Sequence, residues 1–132
     1  MTGLHKALQA FWSGFGIPAY VSGHVPANAA YPYITYEVQD GDSFDSTTLT
    51  AFCWYEINRN TGDYSETNSA RATMLDAIAD AIPMGGTNIP VPADNGFCML
   101  YRSTGFESYY DDPADDYVIG GRIAYDITFY KE

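Results

Sequence analysis

The stretch YPYITYEVQDGDSFDSTTLTAFCWYEI, from Tyr31 to Ile57, holds two runs of β-forming residues with a polar segment between them. In residues 33–38 the side chains alternate between two faces, as in a strand that is buried on one side. Residues 48–58 are rich in Thr, Phe, Trp, Tyr and Ile and predict a longer partner strand. We therefore expect a β-hairpin, with residues 39–47 as a loop that projects beyond the sheet.

A helix is predicted on each side of this hairpin. Before it, apolar residues recur at the spacing of one helical face, with Thr2 as N-cap and Gly14 near the end. They are Leu4, Leu8, Phe11, Trp12 and Phe15. After it, residues 67–82 predict a second helix that Pro83 ends. The buried stripe of this helix consists of Met74, Leu75, Ile78 and Ile82.

The remaining segments complete one domain over residues 1–132. Strands are predicted at residues 97–104 and 121–130, and a short one within AYVSG at residues 19–23. The segment TNIPVPADNG, residues 87–96, is expected to be a connection broken by prolines. This order predicts an α+β fold, in which a mostly antiparallel sheet of about four or five strands packs against two helices on one face.

Composition and charge restrict the function. The 132 residues include 17 carboxylates and six Lys or Arg, for a net charge of −11, which disfavours binding to DNA phosphates. No segment approaches the roughly 20 apolar residues of a membrane span, and the N-terminus lacks the pattern of a signal peptide. We expect assembly in the cytoplasm and no membrane contact. Cys53 and Cys98 are then expected as buried thiols, with a disulfide as the alternative if their strands are neighbours.

Two acidic segments are the candidate sites. The first contains Asp40, Asp42 and Asp45; the second, ESYYDDPADD at residues 107–116, contains Asp111, Asp112, Asp115 and Asp116. Carboxylates could ligate Ca²⁺, but neither segment has the spacing of an EF-hand, and Pro113 interrupts the second. Both are predicted to be solvated acidic loops without a metal.

No residue pattern indicates catalysis. His5 and His24 have no partner at metal spacing, neither cysteine belongs to a nucleophile motif, and no glycine pattern predicts nucleotide binding. Paired carboxylates could hydrolyse a glycosidic bond, but the sequence singles out no pair. We therefore predict a protein that is not an enzyme, has no cofactor and acts through contacts. Its 12 tyrosines suit strand faces and interfaces.

Several segments together resemble the tail terminator, or tail completion, proteins of long-tailed bacteriophages. These are the N-terminal helix, the strand YPYITYEV, its partner ending in FCWYEI, the helix SARATMLDAIADAI and the closing GRIAYDITFYKE. The resemblance covers nearly the whole chain. The segment ESYYDDPADD matches no element shared with that family.

The resemblance implies a structural protein of the virion, located at the neck of the tail. Such proteins form a hexameric ring that caps the head-proximal end of the tail tube, ends its polymerisation and joins the tail to the head connector. The implied partners are further copies of the chain, the tail tube protein and a connector or stopper protein, while DNA passes through the ring without specific binding. Parts of the subunit interface are expected on the Tyr-rich outer strand face and the helix at residues 67–82. The 39–47 loop is expected to face the lumen, with the 107–116 loop as the alternative.

Other functions fit parts of the pattern. A stopper, an adaptor or a tube protein would belong to the same region of the virion, but an adaptor would be largely helical and a tube protein richer in β-structure. A carbohydrate-binding module would use Tyr, Trp and Phe on an exposed strand face, and retention on a sugar column would support it.

Overall fold

The computed structural model describes residues 2–38 and 44–132, and for residues 44–46 it describes the backbone alone. Within these residues the chain forms two α-helices, six β-strands and one turn of 3₁₀-helix. Their order is α1 (Thr2–Ser13), β1 (Ala19–Val21), β2 (Tyr33–Tyr36), β3 (Phe44–Glu56), α2 (Tyr64–Ala81), β4 (Thr87–Val91), the 3₁₀ turn (Pro92–Asp94), β5 (Gly96–Asp111) and β6 (Val118–Lys131).

All six strands belong to one mixed sheet in the order β1-β2-β3-β6-β5-β4. The strands β1 and β2 run parallel, and the other neighbours run antiparallel. The prediction of four or five strands is therefore wrong, because the sheet has six. The sheet is also mixed, whereas a mostly antiparallel sheet was predicted. The unexpected strand is β4, which contains Pro90. Proline lacks the N–H that a central strand must donate, but β4 is an edge strand, where one side makes no ladder hydrogen bonds.

Both acidic loops were predicted too long, because the long strand β6 pairs with more of the chain than the sequence indicated. The strand β3 begins at Phe44, so the part of the 39–47 loop from Phe44 onward is strand, and residues 39–43 lie outside the described part of the chain. The strand β5 continues to Asp111, opposite Ile119 of β6, so residues 107–111 are also strand. The predicted 107–116 loop is reduced to a short turn.

The core lies between one face of the sheet and the two helices. From β6, Ile123, Tyr125 and Ile127 point into it and are fully buried. The ring of Trp12 in α1 lies 5.6 Å from that of Tyr125, and α2 places Leu75 over Gly121. Both helices therefore cover the same face of the sheet, as the sequence predicted, and the opposite face carries neither.

Polar contacts hold both ends of α2. At its start, Asp63 accepts a hydrogen bond of 3.0 Å from the backbone N–H of Ser65. At its end, the Arg102 guanidinium of β5 donates to the carbonyl oxygens of Ile82 at 2.7 Å and Ala79 at 2.9 Å. These are carbonyls of the last turn, which have no partner within the helix. A base from the sheet thus caps the helix and fixes its position on the sheet.

Candidate assembly surfaces

The sheet face that carries no helix holds a cluster of three aromatic rings. Phe52 and Trp54 project from β3 and stack with their centroids 5.1 Å apart, and Tyr110 of β5 meets them edge-on at 5.4 and 5.6 Å. The Trp54 indole donates a hydrogen bond of 3.0 Å to the hydroxyl of Thr35, which fixes its orientation. Phe52 and Trp54 are half-buried, and 38% of Tyr110 is exposed. We call these three residues the aromatic cluster.

Gly120 makes the aromatic cluster possible. It lies on β6 between Trp54 of β3 and Tyr110 of β5, with which it is in register. A Cβ on Gly120 would lie 3.0 Å from the Trp54 ring and 2.8 Å from the carbonyl oxygen of Cys53. Because residue 120 has no side chain, the Trp54 and Tyr110 rings meet across the intervening strand.

A row of tyrosines extends the aromatic surface towards the β1 edge. Tyr33 of β2 is in register with Trp54. Its ring lies 5.0 Å from that of Tyr31 and 5.8 Å from that of Tyr20. Burial, together with the hydrogen bond and proximity of Tyr31, raises the pKa of Tyr33 to about 12. Tyr33 is therefore neutral near pH 7, and the three tyrosines contribute aromatic area with polar hydroxyl groups.

Arg122 is the only Lys or Arg that the described strands place on this face. It lies on β6 between Phe52 of β3 and Ser108 of β5, and its side chain is half-buried. Its side chain makes no hydrogen bond or ion pair with any residue in the described part of the chain. Further along the same face the surface is polar: Thr48 donates to Asp126 at 2.6 Å, and Thr50 donates to Glu37 at 2.7 Å.

Asp111, at the end of β5, belongs to a network around a buried guanidinium. Arg71 of α2 is 1% exposed, and it donates to the Gly120 carbonyl at 3.1 Å and to Asp111 at 3.5 Å. It also donates to the Tyr64 hydroxyl and the Asn68 side chain, at 2.8 and 2.7 Å. The Tyr109 ring lies 4.2 Å from the guanidinium carbon. Asp111 thus helps to hold the end of β5 against α2 and is not a free loop carboxylate.

The other three aspartates of the second segment lie in the turn between β5 and β6. Asp112 accepts from the Ala114 N–H at 2.8 Å, and Asp115 accepts from the Tyr117 N–H at 3.0 Å. Asp115 also forms an ion pair of 2.6 Å with Arg59, and this hydrogen bond holds the pKa of Asp115 below its ordinary value. Asp116 is exposed and has no polar partner among the residues that the structure describes.

The first acidic segment is not brought into a site here. Asp40 and Asp42 lie outside the described residues, and of Asp45 the structure describes only the backbone, in β3. Within residues 2–38 and 44–132, no group of three His, Cys, Asp or Glu side chains could hold a metal ion. Neither described helix has the length and hydrophobicity needed to cross a membrane.

A polar groove of about 700 Å³ lies between the start of α2 and the segment after β3. Its lining includes Tyr31, Tyr55, Glu56, Arg59 and Glu66. Arg59 is already paired with Glu56 and Asp115, at 3.1 and 2.6 Å. The guanidinium in this groove thus belongs to an ion-pair network with two carboxylates.

Three features of these surfaces were not predicted from the sequence. They are the guanidinium network of Arg71, the ring contact between Trp54 and Tyr110, and the position of Arg122. The last was accessible in part, because the alternation along residues 121–130 places residue 122 on the side opposite Ile123. The other two depend on which strands are neighbours. Comparison of the chain with protein-family models, curated proteins and solved structures finds no match.

Proposed function

We propose that this protein is a structural subunit of a bacteriophage tail, which assembles with further copies of itself into a ring that caps the head-proximal end of the tail tube. The observation that carries the proposal is the helix-free sheet face, with its aromatic cluster beside the guanidinium of Arg122. In this role the ring ends tube polymerisation and joins the tail to the connector or stopper of the head.

The composition of the face supports a protein partner. Tyr, Trp, Phe and Arg are enriched at protein interfaces, and Trp, Tyr and Arg dominate their binding energy. Here Trp54, Tyr110 and Arg122 lie on three adjacent strands of one rigid sheet. Little side-chain entropy is lost on binding, because the rings already pack on one another and Trp54 is hydrogen-bonded.

The order of elements supports the particular kind of assembly. An N-terminal helix, a hairpin of β2 and β3, the helix α2 and a closing long strand follow one another as in the tail terminator proteins that the sequence resembles. The charge of −11 suits a ring through which DNA passes, because carboxylates near the channel keep phosphates from adhering.

The geometry of the rings favours a protein partner over a sugar. A sugar-binding platform offers an open aromatic face on which a pyranose ring lies flat. In the aromatic cluster, Phe52 and Trp54 are stacked on each other with planes 13° apart, and Tyr110 closes against both. Each ring thus packs a face or an edge against its neighbours and leaves no open face for a sugar. The patch is therefore better suited to shape complementarity with another protein.

The test is the assembly state of the purified protein, alone and with isolated tail tubes, measured by mass photometry and negative-stain electron microscopy. We expect particles of about six copies, or monomers that form a six-fold ring at one end of each tube. Tyr110→Ser should weaken this assembly. Tyr130→Ser is the matched control, because Tyr130 is 45% exposed on the same sheet face but ten residues along β6 from Gly120, roughly 33 Å from the aromatic cluster. Monomers at all concentrations and bare tube ends would contradict the proposal.

The lumen assignment requires its own experiment. Replacing Asp40, Asp42 and Asp45 together by Lys should leave the fold intact and make the assembled ring retain DNA, because positive charges bind phosphates. Retention is measured by the release of labelled DNA from particles, with the same three positions changed to Asn as a control for lost negative charge. Release at the wild-type rate from the Lys variant would show that residues 39–47 do not line the channel.

A further inference from the structure

We infer that Arg122 receives the carboxylate of Asp116 from a second copy of this chain, so that the β5–β6 turn of one subunit docks beside the aromatic cluster of the next. This inference rests on the self-assembly that the proposed function requires. It adds the surface, the orientation and the ion pair through which the copies meet.

Arg122 lacks an acceptor within the described part of its own chain. Arg122 is half-buried beside the aromatic cluster, and a partly desolvated guanidinium needs an acceptor. The described residues supply none, although the chain has 17 carboxylates and only six Lys or Arg. Arg59, Arg71 and Arg102, by contrast, are each bonded to carboxylate or carbonyl oxygens within the chain. A partner surface that supplies a carboxylate is the electrostatic complement of Arg122.

The turn between β5 and β6 carries a carboxylate that could pair with such a guanidinium. Of its aspartates, Asp112 and Asp115 are engaged in the turn itself, and Asp115 is also paired with Arg59. Asp116 alone in this turn has no polar partner among the described residues, and it is exposed. The turn is held by these bonds in one conformation, so docking costs little loop ordering. It thus offers a free carboxylate on a preformed projection.

Arg122 and Asp116 of one chain lie too far apart to pair with each other. Arg122 lies four residues into β6, and Val118 to Arg122 spans about 13 Å of strand at roughly 3.3 Å per residue. The turn that carries Asp116 lies beyond Val118, away from Arg122. Asp116 therefore meets a guanidinium of another copy. Two arrangements allow this: a two-fold dimer with two such pairs, and a head-to-tail contact that closes into a ring.

The experiment is a charge reversal with rescue. Arg122→Asp and Asp116→Arg should each weaken self-association about tenfold or more, measured by sedimentation velocity of the wild-type and variant full chains. The double variant, and an equal mixture of the two single variants, should recover assembly, because each again allows opposite charges to meet. Lys6→Glu is the matched control, since Lys6 is an exposed base in α1 without an ion pair in the described chain. Circular dichroism checks that every variant is folded.

The outcomes separate this inference from the proposed function. Single variants that weaken assembly without rescue by the double variant or the mixture would overturn the Asp116 pairing. Rings that form equally well in the Arg122→Asp variant would overturn the inference and leave the proposed function standing. Rescue that yields only dimers, with and without tail tubes, would support the ion pair and overturn the ring. Wild-type chains that remain monomeric even with tail tubes would overturn both.

Discussion

Gly120 and Gly121 are neighbours in β6, and each leaves room for a side chain on a different face of the sheet. A Cβ at residue 121 would lie 2.6 Å from Cδ2 of Leu75, on the face that α2 covers. A Cβ at residue 120 would lie 3.0 Å from the Trp54 ring, on the helix-free face. One dipeptide thus allows both the packing of the helix against the sheet and the aromatic cluster on its other side.

Gly121→Ala should destabilise the fold. The added methyl group would meet three atoms of Leu75 within 3.0 Å and push α2 from the sheet. We expect a loss of about 1–3 kcal/mol in the free energy of unfolding, as for an overpacked core. The measurement is urea denaturation followed by circular dichroism. Gly85→Ala is the control, because a Cβ there meets no atom within 4 Å, and equal losses in both variants would contradict the packing argument.

Arg71→Met should destabilise far more than Asp111→Asn, although the two residues form an ion pair. Removing the guanidinium leaves the buried carbonyl of Gly120 without its donor and opens the network with Tyr64 and Asn68, at a cost of about 2–4 kcal/mol. The Asp111 side chain is 77% exposed to water, and an Asn at this position can still accept from Arg71, so the change should cost under about 1 kcal/mol. Thermal and urea unfolding of both variants compare the two costs, and equal losses would contradict this ranking.

The Arg59–Asp115 pair predicts a small dependence of stability on acid. The hydrogen bond from Arg59 lowers the pKa of Asp115 below 3.8. Its contribution is therefore present above about pH 3.8 and is lost as the pH falls through the lowered pKa of the folded protein. Arg59→Gln should raise the pKa of Asp115 towards its ordinary value, measured by NMR titration of the carboxyl carbon. An unchanged pKa of Asp115 in the Arg59→Gln variant would contradict the pairing.

Cys53 and Cys98 should react with thiol reagents only when the protein unfolds. Both are free and buried, and burial raises the pKa of each thiol to about 11. They cannot form a disulfide with each other, because β6 lies between their strands and neighbouring strands are about 4.8 Å apart. Cys53 is opposite Gly121, and Cys98 is opposite Phe129.

The measurement is labelling with a chromogenic disulfide at pH 8, with and without denaturing urea. We expect two reactive thiols per chain in urea and almost none in the native protein. Because the two cysteines cannot form a disulfide with each other, oxidant-treated protein should unfold at the same urea concentration as untreated protein. Rapid native labelling of either cysteine would contradict its burial in the folded state.

Local patterns in the sequence determined much of this protein's secondary structure and which faces of its helices and strands are buried. The alternation at residues 121–130 predicted which side chains of β6 face the core, and the stripe through Leu4, Leu8 and Trp12 predicted the buried side of α1, which the structure confirms. The two helices also follow from such patterns. Each of these features depends on residues close in sequence, whose periodicity records which side is buried.

Only the tertiary structure decided the extent of the sheet and which charged side chains are paired. The segment at Pro90 is a strand because it lies at an edge, and residues 107–111 are strand because β6 is long enough to pair with them. Arg71 lies 49 residues from Gly120 in sequence, and Asp115 lies 56 from Arg59. Whether an acidic side chain is paired or free depends on such distant contacts, because Coulomb energies and hydrogen bonds act over a few ångströms of space and not along the chain.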